Sequence, residues 1–120
     1  MFDSLTFMFG SDTYVLPKIN QDKYSGEFYF RNDGLDITAT IRHTTRIDKT
    51  RGGIKVERHA VDLTVKVFAT VSGQPDTIRK QYFVFENDYR DGVLNTTDCV
   101  LALKGWFTST TVGNLLQWAS

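Results

Sequence analysis

Hydroxyls, cations and one phenol recur at every second position in three stretches of the chain. Thr38, Thr40 and Arg42 alternate through residues 35–44, Thr64 and Lys66 do so after Asp62, and Lys80 and Tyr82 alternate within residues 78–86. In an extended chain alternate side chains share a face, so three adjacent strands would gather these seven residues into one polar field. RNA is the ligand such a field suits. Arg and Lys meet phosphates, Thr bonds base edges or the 2′-OH, and Tyr stacks on a splayed base. The competing reading is an ordinary solvated sheet face, rich in Thr because β-branched residues favour strands; the shared facing is what favours function. Residues 42–58 add Arg42, Arg46, Lys49, Arg51, Lys55 and Arg58 against Asp48 and Glu57, a local cationic excess that reads either as a phosphate-attracting patch or as a solubilising loop. Glu86, Asp88 and Asp91 follow as a locally acidic segment.

Other chemistries find little support. His43 and His59 have no Cys or carboxylate at metal-ligand spacing, so neither a metal site nor a cofactor is expected. Cys99 could be a nucleophile near a helix start, but Val100, Ala102 and Leu103 around it argue for a buried structural thiol. Gly52, Gly53 and Gly73 are turn glycines without a phosphate-loop pattern. No catalytic residues are assigned, and an enzyme is not expected.

The elements that must position the field follow from composition and periodicity. The chain has 120 residues, 41% of them hydrophobic, with 14 Lys plus Arg balancing 14 Asp plus Glu. That suffices for one domain with a real core, is too apolar for disorder, and disfavours a generally basic nucleic-acid binder. Every apolar run falls short of the ~18 residues of a membrane span, and the first residues lack the basic and apolar regions of a secretory signal. With a single Cys, the expectation is synthesis in a reducing, intracellular place and no membrane partner.

Fifteen Thr, ten Val and two Pro indicate sheet. Residues 5–9 and 13–16 flank Gly10-Ser11-Asp12 as an N-terminal hairpin, within residues 1–18, that Pro17 ends or edges. Residues 27–31, closed by Asn32-Asp33-Gly34, form a further strand. Residues 35–44 place Leu35, Ile37, Ala39 and Ile41 opposite Asp36, Thr38, Thr40 and Arg42, and residues 46–53 read as an exposed loop. A long run from Ile54 to Val71 resumes the alternation, with Val61, Leu63, Val65 and Val67 opposing Asp62, Thr64 and Lys66; residues 72–76 form another loop, and Phe83 and Phe85 oppose Lys80, Tyr82, Val84 and Glu86. Hairpin-scale loops imply an antiparallel meander across residues 24–88. From residue 94 the period becomes helical. Residues 95–98 look like a helix start, Cys99, Ala102, Leu103, Trp106 and Phe107 recur at helical spacing, and Val112, Leu115, Leu116 and Ala119 suggest a second helix, giving a helical region 94–119. Gly105 inside the first helix implies close packing or a bend. The fold class is thus α+β, as one domain. A sheet with one apolar face and so little helical cover points to a dimer in which each subunit's helices lie across the other's sheet.

This order of parts resembles the coat proteins of the single-stranded RNA bacteriophages, the levivirus type. The resemblance spans essentially the whole chain and is carried by Ile37-Thr38-Ala39-Thr40-Ile41-Arg42, by Asp62-Leu63-Thr64-Val65-Lys66-Val67-Phe68, and by Thr97-Asp98-Cys99-Val100-Leu101 continuing to Gly105-Trp106. It implies an N-terminal hairpin, a five-stranded antiparallel meander and two C-terminal helices that interlock in a homodimer. Dimers would build a T=3 icosahedral shell around viral genomic RNA, with the maturation protein as a further virion component and assembly in the bacterial host cytoplasm. The polar sheet face would line the shell and bind an operator RNA hairpin for packaging and translational repression. By position, Thr38, Thr40 and Arg42 match a Thr-x-Ser-x-Arg pattern, Thr64 and Lys66 match Thr-x-Lys, and Tyr82 matches the tyrosine that stacks on an unpaired base. Asp36 stands where the family has Lys and Val84 where it has Asn, which bears on the identity of the operator. The loop at residues 72–77, short and containing Pro75, corresponds to the one that gathers around the shell's symmetry axes, and its shortness would narrow the openings there. A dimeric RNA-binding protein without a shell, and a small ligand-binding or thiol-dependent β-domain, are the competing functions.

Overall fold

A computed structural model of the chain describes residues 2–119. Six antiparallel strands form one sheet in sequence order: β1 (Ser4–Phe9), β2 (Asp12–Gln21), β3 (Ser25–Arg31), β4 (Leu35–Asp48), β5 (Ile54–Val67) and β6 (Thr77–Asp88). Two helices follow, α1 (Val93–Trp106) and α2 (Ser109–Leu116). Turn chemistry fixes the register. Asn32 Oδ1 accepts from the backbone N–H of Gly34 (2.8 Å) and Leu35 (2.9 Å), closing the β3–β4 turn. Between β4 and β5 a short 3-10 turn, Lys49–Arg51, ends in Gly52 and Gly53 at φ +79° and +81°, a left-handed backbone that disfavours residues with a Cβ.

The alternation reads through to the core. Leu16, Phe28, Ile37, Ala39, Leu63 and Val65 are buried together, and the β1–β2 hairpin curls over them so that Leu5, Phe7, Phe9 and Tyr14 pack against the cluster. Tyr14 bridges the hairpin to the sheet, with ring centroids 5.4 Å from Phe9 and 5.3 Å from Phe30. Burying a side chain the size of Phe28 stabilises by roughly 1.5–3 kcal/mol.

Several boundaries differ from the sequence reading. Pro17 does not end β2, which continues to Gln21; Pro17 is the last β2 residue paired with β1, and the ladder to β3 begins at Lys18. One strand therefore serves both the hairpin and the meander, so the sheet has six strands where a hairpin and a separate five-stranded meander would have seven, and residues 24–88 hold four of them, β3–β6. β4 runs on to Asp48, so Arg46, Ile47 and Asp48 of the loop expected at 46–53 are paired strand, and only residues 49–53 form the turn. Strong cross-strand pairing overrides a charged composition. α1 begins at Val93, two residues before the expected cap. Gly92 occupies the N-cap without a side-chain bond, while Asp91 accepts from the Gly92 N–H (2.9 Å) and the Thr96 hydroxyl (3.0 Å). The break between helices falls at Phe107–Thr108, and Thr108 caps α2 through the Thr111 N–H.

Neither helix has a buried residue. Cys99 is exposed rather than buried, and nothing beyond its own helix backbone and chain neighbours stands within 4 Å of where a Cβ on Gly105 would lie, so the close packing expected there does not occur within the protomer. The molecule is extended: its radius of gyration is 17.5 Å, against about 14 Å for a compact domain of this length.

Candidate nucleic-acid interface

The register places all seven candidate residues on one face of β4–β6. Thr38, Thr64 and Lys80 stand side by side in one cross-strand row, which Tyr29 of β3 extends. The next row is Glu27, Thr40, Asp62 and Tyr82, and the one beyond it Ser25, Arg42, Ala60 and Val84. On the other side of the threonine row lie Arg31, Asp36, Lys66 and Ile78. The threonines are half-buried, whereas Arg42, Lys80 and Tyr82 project into solvent, Tyr82 at 66% exposure. Hydroxyls thus form a floor framed by cations and a phenol, as a splayed nucleotide would require.

The field is not simply cationic. Asp36 lies beside Lys66, Asp62 beside Thr40, and Lys66 Nζ is 3.7 Å from the Asp76 carboxylate in the β5–β6 connection. Asp76 also accepts from the Ala69 N–H at 2.7 Å, which holds that loop against the end of β5. A mixed-charge face attracts phosphate weakly and leaves discrimination to hydrogen bonds and stacking.

The positive patch of residues 42–58 is largely neutralised by the acidic end of β6. Arg51 donates to Asp88 from both terminal nitrogens (3.1 and 2.6 Å) and to Asp48 from Nε (3.1 Å). Arg46 donates to Glu86 at 3.1 Å, and Arg58 approaches the same carboxylate at 3.9 Å. The Arg51 hydrogen bonds hold the Asp88 carboxyl below its ordinary range and raise the guanidinium's own pKa; bonds from the Thr50 hydroxyl and then Arg51 lower Asp48. Among the described residues, Arg42, Lys49 and Lys55 form no ion pair. Much of what looks like a phosphate patch in the sequence is a clamp. It ties the β4–β5 tip to the end of β6, where Tyr89 N–H donates to Lys55 O at 2.9 Å.

Next to Tyr82 the face sinks into a depression of about 430 Å³. Ala60 and Val84 line it together with Arg42, Thr44, Arg58 and Asp62. In the sequence Arg58 stands out only as part of a charge run, and Asp62 and Thr44 carry no signal of their own. Alternation already puts these on the polar face; only the register places Asp62 opposite Tyr82. On the opposite face His43 and His59 approach Nδ1 to Nδ1 at 2.8 Å, and His59 Nε2 lies 3.1 Å from Asn87 Oδ1. They are a packed polar pair, and no cluster of three metal-ligating side chains occurs among the described residues.

Comparison with known proteins decides the family. The family model described as "Phage phiCb5, coat protein" matches residues 2–88, the whole sheet. The chain belongs to this phage coat protein family. Two solved structures share the fold. The coat protein of bacteriophage EMS014 superposes with a TM-score of 0.61 at 16% identity, over 87% of this chain and 72% of that one. The virus-like particle of Beihai levi-like virus 21 superposes with a TM-score of 0.65, also at 16% identity, over 100% of this chain and 97% of the other. No curated protein matches significantly. The chain is therefore a levivirus-type coat protein, a structural component of the virion capsid. The family model ends at Asp88, before the helices, while the second structural match extends through them.

Proposed function

We propose that this coat protein forms helix-exchanged homodimers that assemble into a closed T=3 icosahedral shell, and that its polar sheet face binds an RNA hairpin for packaging and translational repression. The observation that carries self-association is surface area. The protomer exposes 9280 Å², whereas a compact monomer of 13.7 kDa exposes about 6600 Å². The excess is of the size that obligate dimers bury. Its location fits helix exchange. Leu103, Phe107 and Val112 face Phe7, Phe9, Val61 and Phe83 across an apolar gap of about 640 Å³, which a second copy's helix would fill. The outer edge of β6, a strand of twelve residues, presents the unpaired backbone groups of every second residue, a ready template for the same strand of a partner.

RNA binding is supported by the row of Thr38, Thr64 and Lys80, flanked by Thr40 and Tyr82 on one side and Lys66 on the other, with Arg42 beyond Tyr82's row. In a shell this face would be the inner one, in contact with genomic RNA, and the maturation protein would occupy a place in the same virion. Electron microscopy of the protein expressed alone in bacteria tests the shell: uniform closed particles with co-purified nucleic acid are expected. Persistent free dimers across salt and RNA conditions would instead indicate an RNA-binding dimer without a shell. Thr40→Ala with Lys66→Ala should weaken hairpin binding by roughly tenfold or more while dimers persist; unchanged RNA affinity would refute the site.

A further inference from the structure

The depression beside Tyr82 carries a carboxylate that RNA binding through cations and hydroxyls does not need. Asp62 is half-buried, stands directly opposite Tyr82, and makes no ion pair or side-chain hydrogen bond among the described residues. A lone carboxylate on a face that meets polyanions is unfavourable unless it recognises a donor. Ala60 and Val84, in the row beyond, leave an apolar floor against the wall formed by Tyr82, and Arg42 and Arg58 line the remaining sides. The combination is a stacking ring, an apolar seat, the Arg42 guanidinium for a flanking phosphate with Arg58 shared with Glu86 behind it, and one bidentate acceptor.

We infer that this depression binds a single unpaired guanine of the RNA, selected by Asp62. The reason lies in donor patterns. A carboxylate has two adjacent acceptor oxygens and no donor. Guanine's Watson–Crick edge presents adjacent N1–H and N2–H₂ donors and matches it. Adenine and cytosine each place an amino donor beside a ring-nitrogen acceptor, which repels the second oxygen. Uracil places its single N3–H between two carbonyl acceptors. Stacking on Tyr82 alone would tolerate any base, so selectivity falls to Asp62, and Arg42 and Arg58 offset the repulsion between that carboxylate and the RNA backbone.

The inference rests on the sheet face binding RNA, and the test separates the two. Full-length protein freed of co-purified nucleic acid is titrated, at fixed salt, with labelled uridine heptamers carrying guanosine, adenosine, cytidine, uridine or inosine at the centre. Guanosine should bind at least about tenfold more tightly than adenosine, cytidine or uridine, with inosine, which lacks the 2-amino group, in between. Asp62→Asn should raise affinity for the adenosine, cytidine and uridine heptamers, because a negative charge is lost, and lower it for guanosine, so that the preference disappears. A purely electrostatic role would raise all affinities and leave the ratio unchanged, overturning the inference. Equal binding of all heptamers by the unaltered protein would also overturn it while leaving RNA binding intact; no binding of any heptamer would overturn both.

Discussion

Phe28 in β3 is 1% exposed and Leu103 in α1 is 53% exposed, though both are large apolar residues in regular structure. The sheet closes its own core. The hairpin curls over it and cross-strand register places Leu16, Phe28, Ile37, Ala39, Leu63 and Val65 inside. The helices close nothing: Leu94, Leu101, Trp106, Phe107 and Leu116 all remain in solvent, and apolar residues surround α1 instead of forming one stripe. A helix apolar on all sides is one meant to be surrounded. The contrast teaches that the fold and the assembly are encoded in different parts of the chain. The sheet is stabilised within one copy, and in the proposed dimer the helices would be buried by another.

Four measurements test that contrast. The largest effect belongs to the self-sufficient half: Phe28→Ala should lose about 3–5 kcal/mol in denaturant unfolding, through lost transfer energy and a residual cavity. A loss under about 1 kcal/mol would mean that the sheet core also depends on a partner. Next, Leu103→Asp should weaken dimerisation by at least about a hundredfold in analytical ultracentrifugation, with the sheet's circular dichroism signal retained. Dimers at unchanged affinity would remove α1 from the interface.

Gly105→Ala is expected to act more gently. Since nothing beyond its own helix backbone and chain neighbours stands within 4 Å of the added methyl in the protomer, the change should stabilise the helix by about 1 kcal/mol, read as a higher thermal midpoint with dimers intact. Loss of dimers instead would show that a partner's chain comes close at that glycine. The smallest effect is at the β4–β5 tip. Asp48 and Asp88 have lowered pKa values, so their contribution is full above the ordinary carboxylate range and disappears as pH falls through the lowered values, below about pH 4. Both are solvent-facing and screened by salt. Hydrogen exchange at the Gly53 and Tyr89 amides should therefore quicken modestly in acid, and Asp88→Asn should flatten that dependence.

Much of this was legible in the sequence. Alternation over residues 35–44 assigned Thr38, Thr40 and Arg42 to one face because the strand period leaves no other choice, and the helical period after residue 94 was equally plain. The passage of β2 through Pro17, the extension of β4 to Asp48 and the start of α1 were not. Each was decided by long-range pairing or by a backbone cap, which local composition does not express. The cationic excess at residues 42–58 misled for a related reason, since its carboxylate partners Glu86 and Asp88 lie some 40 residues away in β6. Buried Cys99 was expected from its apolar neighbours, yet it is exposed in the protomer, because apolar neighbours predict burial only where something covers them.

By itself, then, the sequence determined which side chains share a face, where turns must fall and that the chain carries more apolar surface than its layers can hide. Those properties follow from backbone periodicity and composition, which are local. The tertiary structure alone decided which faces meet: Asp62 opposite Tyr82, Arg51 against Asp88, and helices left in solvent. Register is a relation between distant residues, set when a whole strand buries its apolar side at once, and no local pattern contains it.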